Sequence, residues 1–407
     1  QKHALKRCAP LAAALLISLV GAPAFSQSFD ACVSGLRQTA LSQGISAKTF
    51  DQAMKDVEPD PEVLKSFDYQ PEFRTPIWDY VAGLADDERV ADGQKMLKDW
   101  SKVLTQAEEN YGVDKNVIVA VWGVESNFGR IQGKRELVRS LTTLVCANKR
   151  QAFFRGELMA TLKILQTGDI APDLLVGSWA GAFGQTQFMP TTYQRLAIDF
   201  DGDGKRDIVN SVPDALGSTA NYLHRAGWVE GEPWGYEVKL PANYAGPSGR
   251  TTKQTLAQWN SLGIKRLEPT TPVAKRLMPD STQAALILPA GANGPAFLVF
   301  RNFNAIYSYN AAESYALSIA HLSDRLQGGA AFNTPWPTDD AGTSRAERRE
   351  IQQRLVDRGF EIGEVDGLIG AKTRTAISEF QQSAGLPVDG RAGQRVLRAL
   401  RAVSAKK

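Results

Sequence analysis

The 407-residue chain has little net charge, few cysteines and no long apolar run beyond its first two dozen residues. Each scarcity removes a class of function. Forty-seven basic residues nearly balance 44 acidic ones, leaving +3. With no block of like charges, the chain offers nothing to hold a polyanion, and nucleic acid is excluded as a partner. The 35 glycines are scattered, so no low-complexity segment stands out. A composition of 43% hydrophobic and 22% charged residues is that of a soluble globular protein, and the length allows two or three domains with at least one sizeable core.

The one apolar run, "LAAALLISLVGA" from residue 11, follows the basic "KHALKR" and precedes the small residues of "APAFSQ". It is too short for a comfortable membrane span and reads as a secretory signal peptide over residues 1–26, cut after Ser26 or Ala24. Charged residues, not small apolar ones, stand before Cys8, so a lipid anchor is not expected there, nor a transmembrane one. Cleavage leaves only Cys32 and Cys146. In an oxidising compartment these form one disulfide, with two separate buried thiols as the alternative.

From about 30 to 230 the apolar spacing is helical, as in "ADGQKMLKDWSKVLTQAEENYG" and "RGELMATLKILQTG". Between 234 and 300, short apolar stretches broken by Pro and Gly ("WGYEVKLP", "AALILPAGANGPAFLVF") predict a small β element inside a helical domain. Helix resumes at "AAESYALSIAHLSDRL". The segment "GGAAFNTPWPTDDAGTS" reads as a linker, residues 328–344. Three amphipathic helices separated by Asp-Gly turns follow, over 345–402. Ile351, Leu355 and Phe360 share one face there, as do Ile377 with Phe380 and Val396 with Leu400.

Four stretches carry chemistry. In "NVIVAVWGVESNFG" a carboxylate, Glu125, interrupts a run with almost no polar face, near the end of a helix that Gly129 is placed to stop. Lost hydration and the negative end of the helix dipole both raise its pKa, as general-acid cleavage of a glycosidic bond requires. The alternative is a structural pair with Arg130 or Arg155. "GSWAGAFGQTQFMPTTY" mixes Gly177, Gly181 and Gly184 with Ser178, Gln185, Gln187 and four rings, Phe188 among them. Small residues let a ligand approach the backbone, amides and hydroxyls bond sugar hydroxyls, and rings stack on sugar faces; a tight helix-packing loop is the alternative. "DFDGDGKRDIVN" opens like an EF-hand calcium loop, with Asp199, Asp201 and Asp203 before Gly204, but its twelfth position is Asn210 instead of the bidentate Glu. Either Asp207 or Asp214 can supply that carboxylate, or the stretch is a plain turn. "YSYNAAESYA" starts a helix with Asn310 at its cap and Tyr315 within it.

In this order, "GVESNFG", "GSWAGAFGQTQFMPTTY", "DALGSTANYLHRAGW" and "YNAAESYA" resemble the lytic murein transglycosylases of the B type, relatives of goose-type lysozyme. The resemblance covers roughly residues 30–327. It implies a mainly α, lysozyme-like catalytic domain over 27–327 with a small inserted β element. Glu125 would act as acid and then as base. Ser178, Gln187 and Asn310 would orient the sugar, and Tyr222, Tyr315 and Tyr80 (in "TPIWDYVAG") would line the cleft, with Phe188 in the "QFMP" match. No cofactor is implied for catalysis; a structural calcium is, on Asp199, Asp201, Asp203, the Lys205 carbonyl and Asp214. Residues 345–402 resemble a three-helix peptidoglycan-binding module, a separate domain tethered by the linker. The implied partners are glycan strands, stem peptides and cell-wall synthesis proteins, in the periplasm of a Gram-negative bacterium. Two rivals use the same residues: a hydrolytic, lysozyme-like muramidase, and a scaffold that binds murein without cutting it.

Overall fold

The computed structural model describes residues 24–68 and 75–402, with side chains from Ser28 onward. The expected leader lies almost wholly outside the described residues. Among these, no helix is long and apolar enough to cross a membrane. The architecture is mainly α, with a five-stranded sheet, a two-stranded pairing of Arg135–Glu136 with Val176–Gly177, and a C-terminal helical module.

The centre is the helix Lys115–Ser126. Asp114 caps it by accepting from the Asn116 N–H (2.8 Å), and Val117 through Trp122 are all buried. A helix apolar on every side can only be a central one. Around it pack the helices Glu313–Leu326, Asp87–Asp99, Val212–Arg225 and Ser101–Tyr111. It stops at Asn127, in the left-handed conformation (φ 51°), two residues before the expected Gly129. Asn tolerates this conformation better than most side chains.

A second core gathers on the helices Leu137–Cys146 and Gln151–Thr167. The N-terminal helix Ala24–Ser42 is joined to it by a Cys32–Cys146 disulfide, Cα atoms 5.7 Å apart.

The β element is a five-stranded antiparallel sheet in the order Lys253–Thr255, Gln283–Ile287, Ala296–Val299, Gly235–Lys239, Lys265–Arg266. Glu237 stands opposite Phe297, and Leu286 opposite Leu298. Both faces are covered. Ala285, Ile287, Phe297 and Val299 join the central core, while Ala284, Leu286, Ala296 and Leu298 pack with Trp259 on the other side. Two-residue periodicity explains why these strands read as continuous apolar runs.

The module's helices are Arg345–Val356, Ala371–Ser383 and Gln394–Ala402, closed around Ile351, Leu355, Ile377, Phe380, Val396 and Leu400. Its repeated Asp-Gly turns share one device. Gln352 donates to Asp366 (3.1 Å) and accepts from the Gly367 N–H (2.6 Å); Gln381 does the same with Asp389 (2.7 Å) and Gly390 (2.9 Å).

Residues 328–344 are not the slack tether expected from their Gly, Pro and Thr content. The Asn333 and Thr334 N–H groups donate to Glu237 (2.7 Å each), Phe332 packs on Phe297, and Asp340 and Thr343 are buried. At Gly342 the chain lies against helix Ile77–Leu84 so closely that a Cβ would sit 2.6 Å from the Trp78 carbonyl oxygen. A composition that permits flexibility does not prevent docking when carboxylates and rings wait on the partner surface.

Candidate active site

Glu125 occupies the last turn of the central helix, half-buried. Its carboxyl accepts a short hydrogen bond from the Tyr315 hydroxyl. Burial pushes it up to about 7, and the Tyr315 bond opposes that only in part. Neither proposed arginine partner neutralises it; Arg130 instead pairs with Asp92 (2.5 Å). A carboxyl half-protonated at neutrality can both give and take a proton.

Tyr315 is held by a stack of rings. Tyr309 lies parallel to it (centroids 6.4 Å), Tyr222 packs on Tyr309 (4.6 Å), and Phe188 backs both (5.9 and 6.0 Å). Tyr309 donates to the Thr186 carbonyl (2.8 Å) and Tyr222 to the Ser308 carbonyl (2.8 Å). Tyr80, on helix Ile77–Leu84, is half-buried and packs against the central core. These side chains come from five chain segments, which is why no local pattern displays the site.

The glycine-rich stretch is a knotted loop held by its own polar groups. The Ser178 hydroxyl accepts from the Ala180 and Ala182 N–H groups (3.3 and 3.0 Å), and Gly181 and Gly184 are left-handed. Both N–H donors of the Gln187 amide are engaged, with the Gln132 carbonyl (3.1 Å) and the Gly184 carbonyl (2.8 Å). The residue that fastens this loop to the acid helix is Gln185. Its carbonyl accepts from Ser126 (2.5 Å), and its amide oxygen from the Trp122 indole (3.1 Å).

Two sequence expectations change here. Phe188 is 1% exposed and so supports the tyrosines from behind instead of facing a ligand. Asn310 does not cap the helix of Tyr315: it ends the preceding helix Arg301–Asn310, and Ala311, left-handed, turns the chain into Glu313–Leu326. Gln185, named among the sugar-bonding amides, instead fastens the loop to the acid helix, and Tyr309 went unassigned, its only signal being its place inside a block already singled out.

In the aspartate loop, carboxylate oxygens of Asp199, Asp201 and Asp203 lie within 4.8 Å of one another on the surface. Hard oxygen donors converging in this way suit calcium. Asp214 is not in that cluster. It is buried, and its two oxygens accept from the N–H groups of Phe200 (2.7 Å), Asp201 (3.3 Å) and Asp207 (2.8 Å), which shapes the loop from inside. Lys205 contributes an N–H to Asp203 (2.8 Å).

A helical lysozyme-like body with a single acid at the end of its central helix, and a helical module after it, defines a class of wall-cleaving enzyme. The chain belongs to the transglycosylase SLT domain family, whose model matches residues 28–324, and residues 344–400 match a peptidoglycan binding domain. It is 33% identical over 244 residues to the membrane-bound lytic murein transglycosylase B of Escherichia coli K12, covering 59% of this chain and 64% of that protein, just under two thirds of its length. Among solved structures it is similar to SltB3 from Pseudomonas aeruginosa in complex with NAG-anhNAM-pentapeptide, at 45% identity and TM-score 0.72, covering 92% of this chain and 100% of that one. It is also similar to the Escherichia coli lytic transglycosylase Slt35 in complex with calcium, at 28% identity and TM-score 0.61, covering 75% of this chain and 92% of that one.

Proposed function

We propose that this protein cleaves the β-1,4 bond between N-acetylmuramic acid and N-acetylglucosamine in peptidoglycan without consuming water, leaving a 1,6-anhydro-muramoyl end. The observation that carries the reading is the state of Glu125. Its carboxyl is raised to about 7 by burial and bonded by Tyr315, and no second carboxylate among the described residues shifts it. Glycosidases that use water or a covalent intermediate divide the work between two carboxyl groups. Here one group serves both steps. Glu125 protonates the glycosidic oxygen as the bond from muramoyl C1 breaks, and the muramoyl acetamido group supports the cationic C1. The carboxylate then takes the proton of the C6 hydroxyl as O6 bonds to C1. Glu125 ends protonated, ready for another cycle. The Tyr315 hydroxyl stabilises the carboxylate between the two transfers, Ser178, Gln187 and Asn310 orient the sugar, and Tyr222 and Tyr80 line its path.

The anhydro ligand of SltB3 supports this product class, as does membership of the transglycosylase family. In the same reading Asp199, Asp201 and Asp203 hold a calcium ion that offsets their mutual repulsion and takes no part in the chemistry; the calcium complex of Slt35 supports it. The C-terminal module binds the wall, and the leader with the disulfide favours the periplasm. Cell-wall synthesis proteins are further partners of this reading.

Mass spectrometry of fragments released from purified sacculi tests the reaction. The expected main product ends in 1,6-anhydro-muramic acid, lighter by one water than the hydrolytic product. A reducing muramic acid end as the main product would make the protein a hydrolase, and no release at all would make it a scaffold.

A further inference from the structure

The C-terminal module does more than sit beside the catalytic body. Arg345, in the first turn of its first helix, is inserted into that body with its side chain 9% exposed. The guanidinium divides between two acceptors. Nε and Nη2 meet the Asp86 carboxylate (3.0 and 3.3 Å), and Nη1 donates to the side-chain oxygen of Asn127 (2.7 Å). Asp86 is itself the N-cap of helix Asp87–Asp99 and accepts from the Arg89 N–H (2.8 Å). Burial works against its charge, but the bonds from Arg345 and from the Arg89 and Arg345 N–H groups outweigh it and hold Asp86 below its ordinary range.

Asn127 is the left-handed residue that ends the acid helix, two positions after Glu125. The last turn of a helix lacks onward backbone partners and frays unless something fixes it. One side is fixed within the catalytic body, where Ser126 donates to the Gln185 carbonyl and accepts from the Gly129 N–H (2.8 Å). The other side is fixed by Arg345. A second clamp reaches the site through helix Ile77–Leu84. Arg391 forks onto the Asp79 carboxylate (2.8 Å on each oxygen), Arg348 donates to the Asp79 carbonyl (2.7 Å), and the next residue is Tyr80. Gly83 makes room for Arg348, since a Cβ there would collide with its guanidinium.

We infer that docking of the module sets the position of the acid, with Arg345 as a positioning residue that acts on Glu125 through the Asn127 side chain. The inference rests on the reading of Glu125 as the acid. It makes the module part of the catalytic apparatus for every substrate, including short soluble fragments that need no anchoring to the wall.

The test uses the full chain and soluble, uncrosslinked glycan fragments. Arg345→Lys keeps a positive charge beside Asp86 but lacks the planar fork that also serves Asn127. Asn127→Gly keeps the left-handed turn and removes only the acceptor. Both are expected to lower kcat about tenfold, within the range a small misplacement of a catalytic group produces, with KM changed less than about twofold. Arg349→Ala, which breaks the exposed Arg349–Glu88 pair at the same interface, is expected to change neither constant. A second readout needs no turnover. Carbon-13 NMR of labelled glutamate follows the Glu125 carboxyl, which should titrate lower in both variants as the loosened helix end admits water. The titratable groups facing it, Tyr315 and Tyr309 from the two neighbouring helices, are pushed well above their ordinary range and stay neutral throughout. Wild-type kcat and wild-type titration in Asn127→Gly would overturn the inference. An inactive wild-type protein would refute the proposed reaction, and the titration would still decide whether Arg345 positions Glu125.

Discussion

Glu125 and Asp324 are both carboxyls pushed up to about 7, each chiefly by burial and each bonded by one aromatic donor. For Glu125 the donor is the Tyr315 hydroxyl, and for Asp324 the Trp234 indole (3.0 Å). Their helices pack together along the centre of the molecule, and Tyr315 and Asp324 lie on the same one. Their surroundings differ. Glu125 is bonded by Tyr315 in a stack of tyrosines, on the helix to which the glycine-rich loop is fastened. Asp324 lies under Trp234 beside voids of about 20 and 50 Å³, well below the several hundred Å³ that a ligand site offers. A raised pKa therefore records burial; it marks a working acid only where a substrate can reach the proton.

The sharpest break between the two is turnover. Glu125→Gln is expected to lose roughly 10⁴-fold or more in kcat, at or beyond the top of the general acid–base range because one group serves two steps. Asp324→Asn is expected to stay within about twofold of wild type, as substitutions away from a site do. Assays on soluble fragments check both, and equal losses would erase the distinction.

Stability against pH is where the two acids should behave alike. Each folded-state pKa, about 7, lies above its ordinary value of 4.5 for Glu125 and 3.8 for Asp324. Between those values the folded protein holds protons that the unfolded chain releases, so stability falls as pH rises through the window up to 7. Either amide variant removes one share of that fall. Its melting temperature relative to wild type should therefore rise more at pH 8 than at pH 4, as thermal scans at the two values will show.

The smallest effect is expected at the exposed aspartates. Millimolar calcium should raise the melting temperature of metal-stripped protein by a few degrees through mass action and leave kcat per folded molecule unchanged, and in Asp201→Ala it should move neither. An unmoved melting curve would reduce the loop to a turn.

Much of this was legible in the chain. A carboxylate in a run as apolar as Val117–Val124 stands out because burial and charge conflict, and the alternate apolar stretches near 284–300 mark a sheet covered on both faces. The joining of Cys32 to Cys146 was one of two readings open to the two cysteines beyond the expected leader, with separate thiols as the other. What stayed hidden depends on partners far along the chain. Asn127 looks like an ordinary turn residue until Arg345 arrives from 218 positions away. Gln185, a few residues from Ser178, looks like any other loop amide until Trp122 and Ser126 meet it. Asp214 was implied as a metal ligand by the resemblance, and a sequence does not say which backbone N–H groups a carboxylate already faces.

Gly342 carries the last consequence. With no room for a side chain beside the Trp78 carbonyl and the following arginines seated, the module is docked against the body that carries the acid. A wall-binding unit on a loose leash would let the enzyme graze a disc around its foothold, with cuts falling at any distance the leash allows. A seated unit works as a ruler. On the proposed function, each cut would fall at a set offset and orientation from the strand that the module grips, and the spacing of cuts along the wall would follow from the geometry of one enzyme.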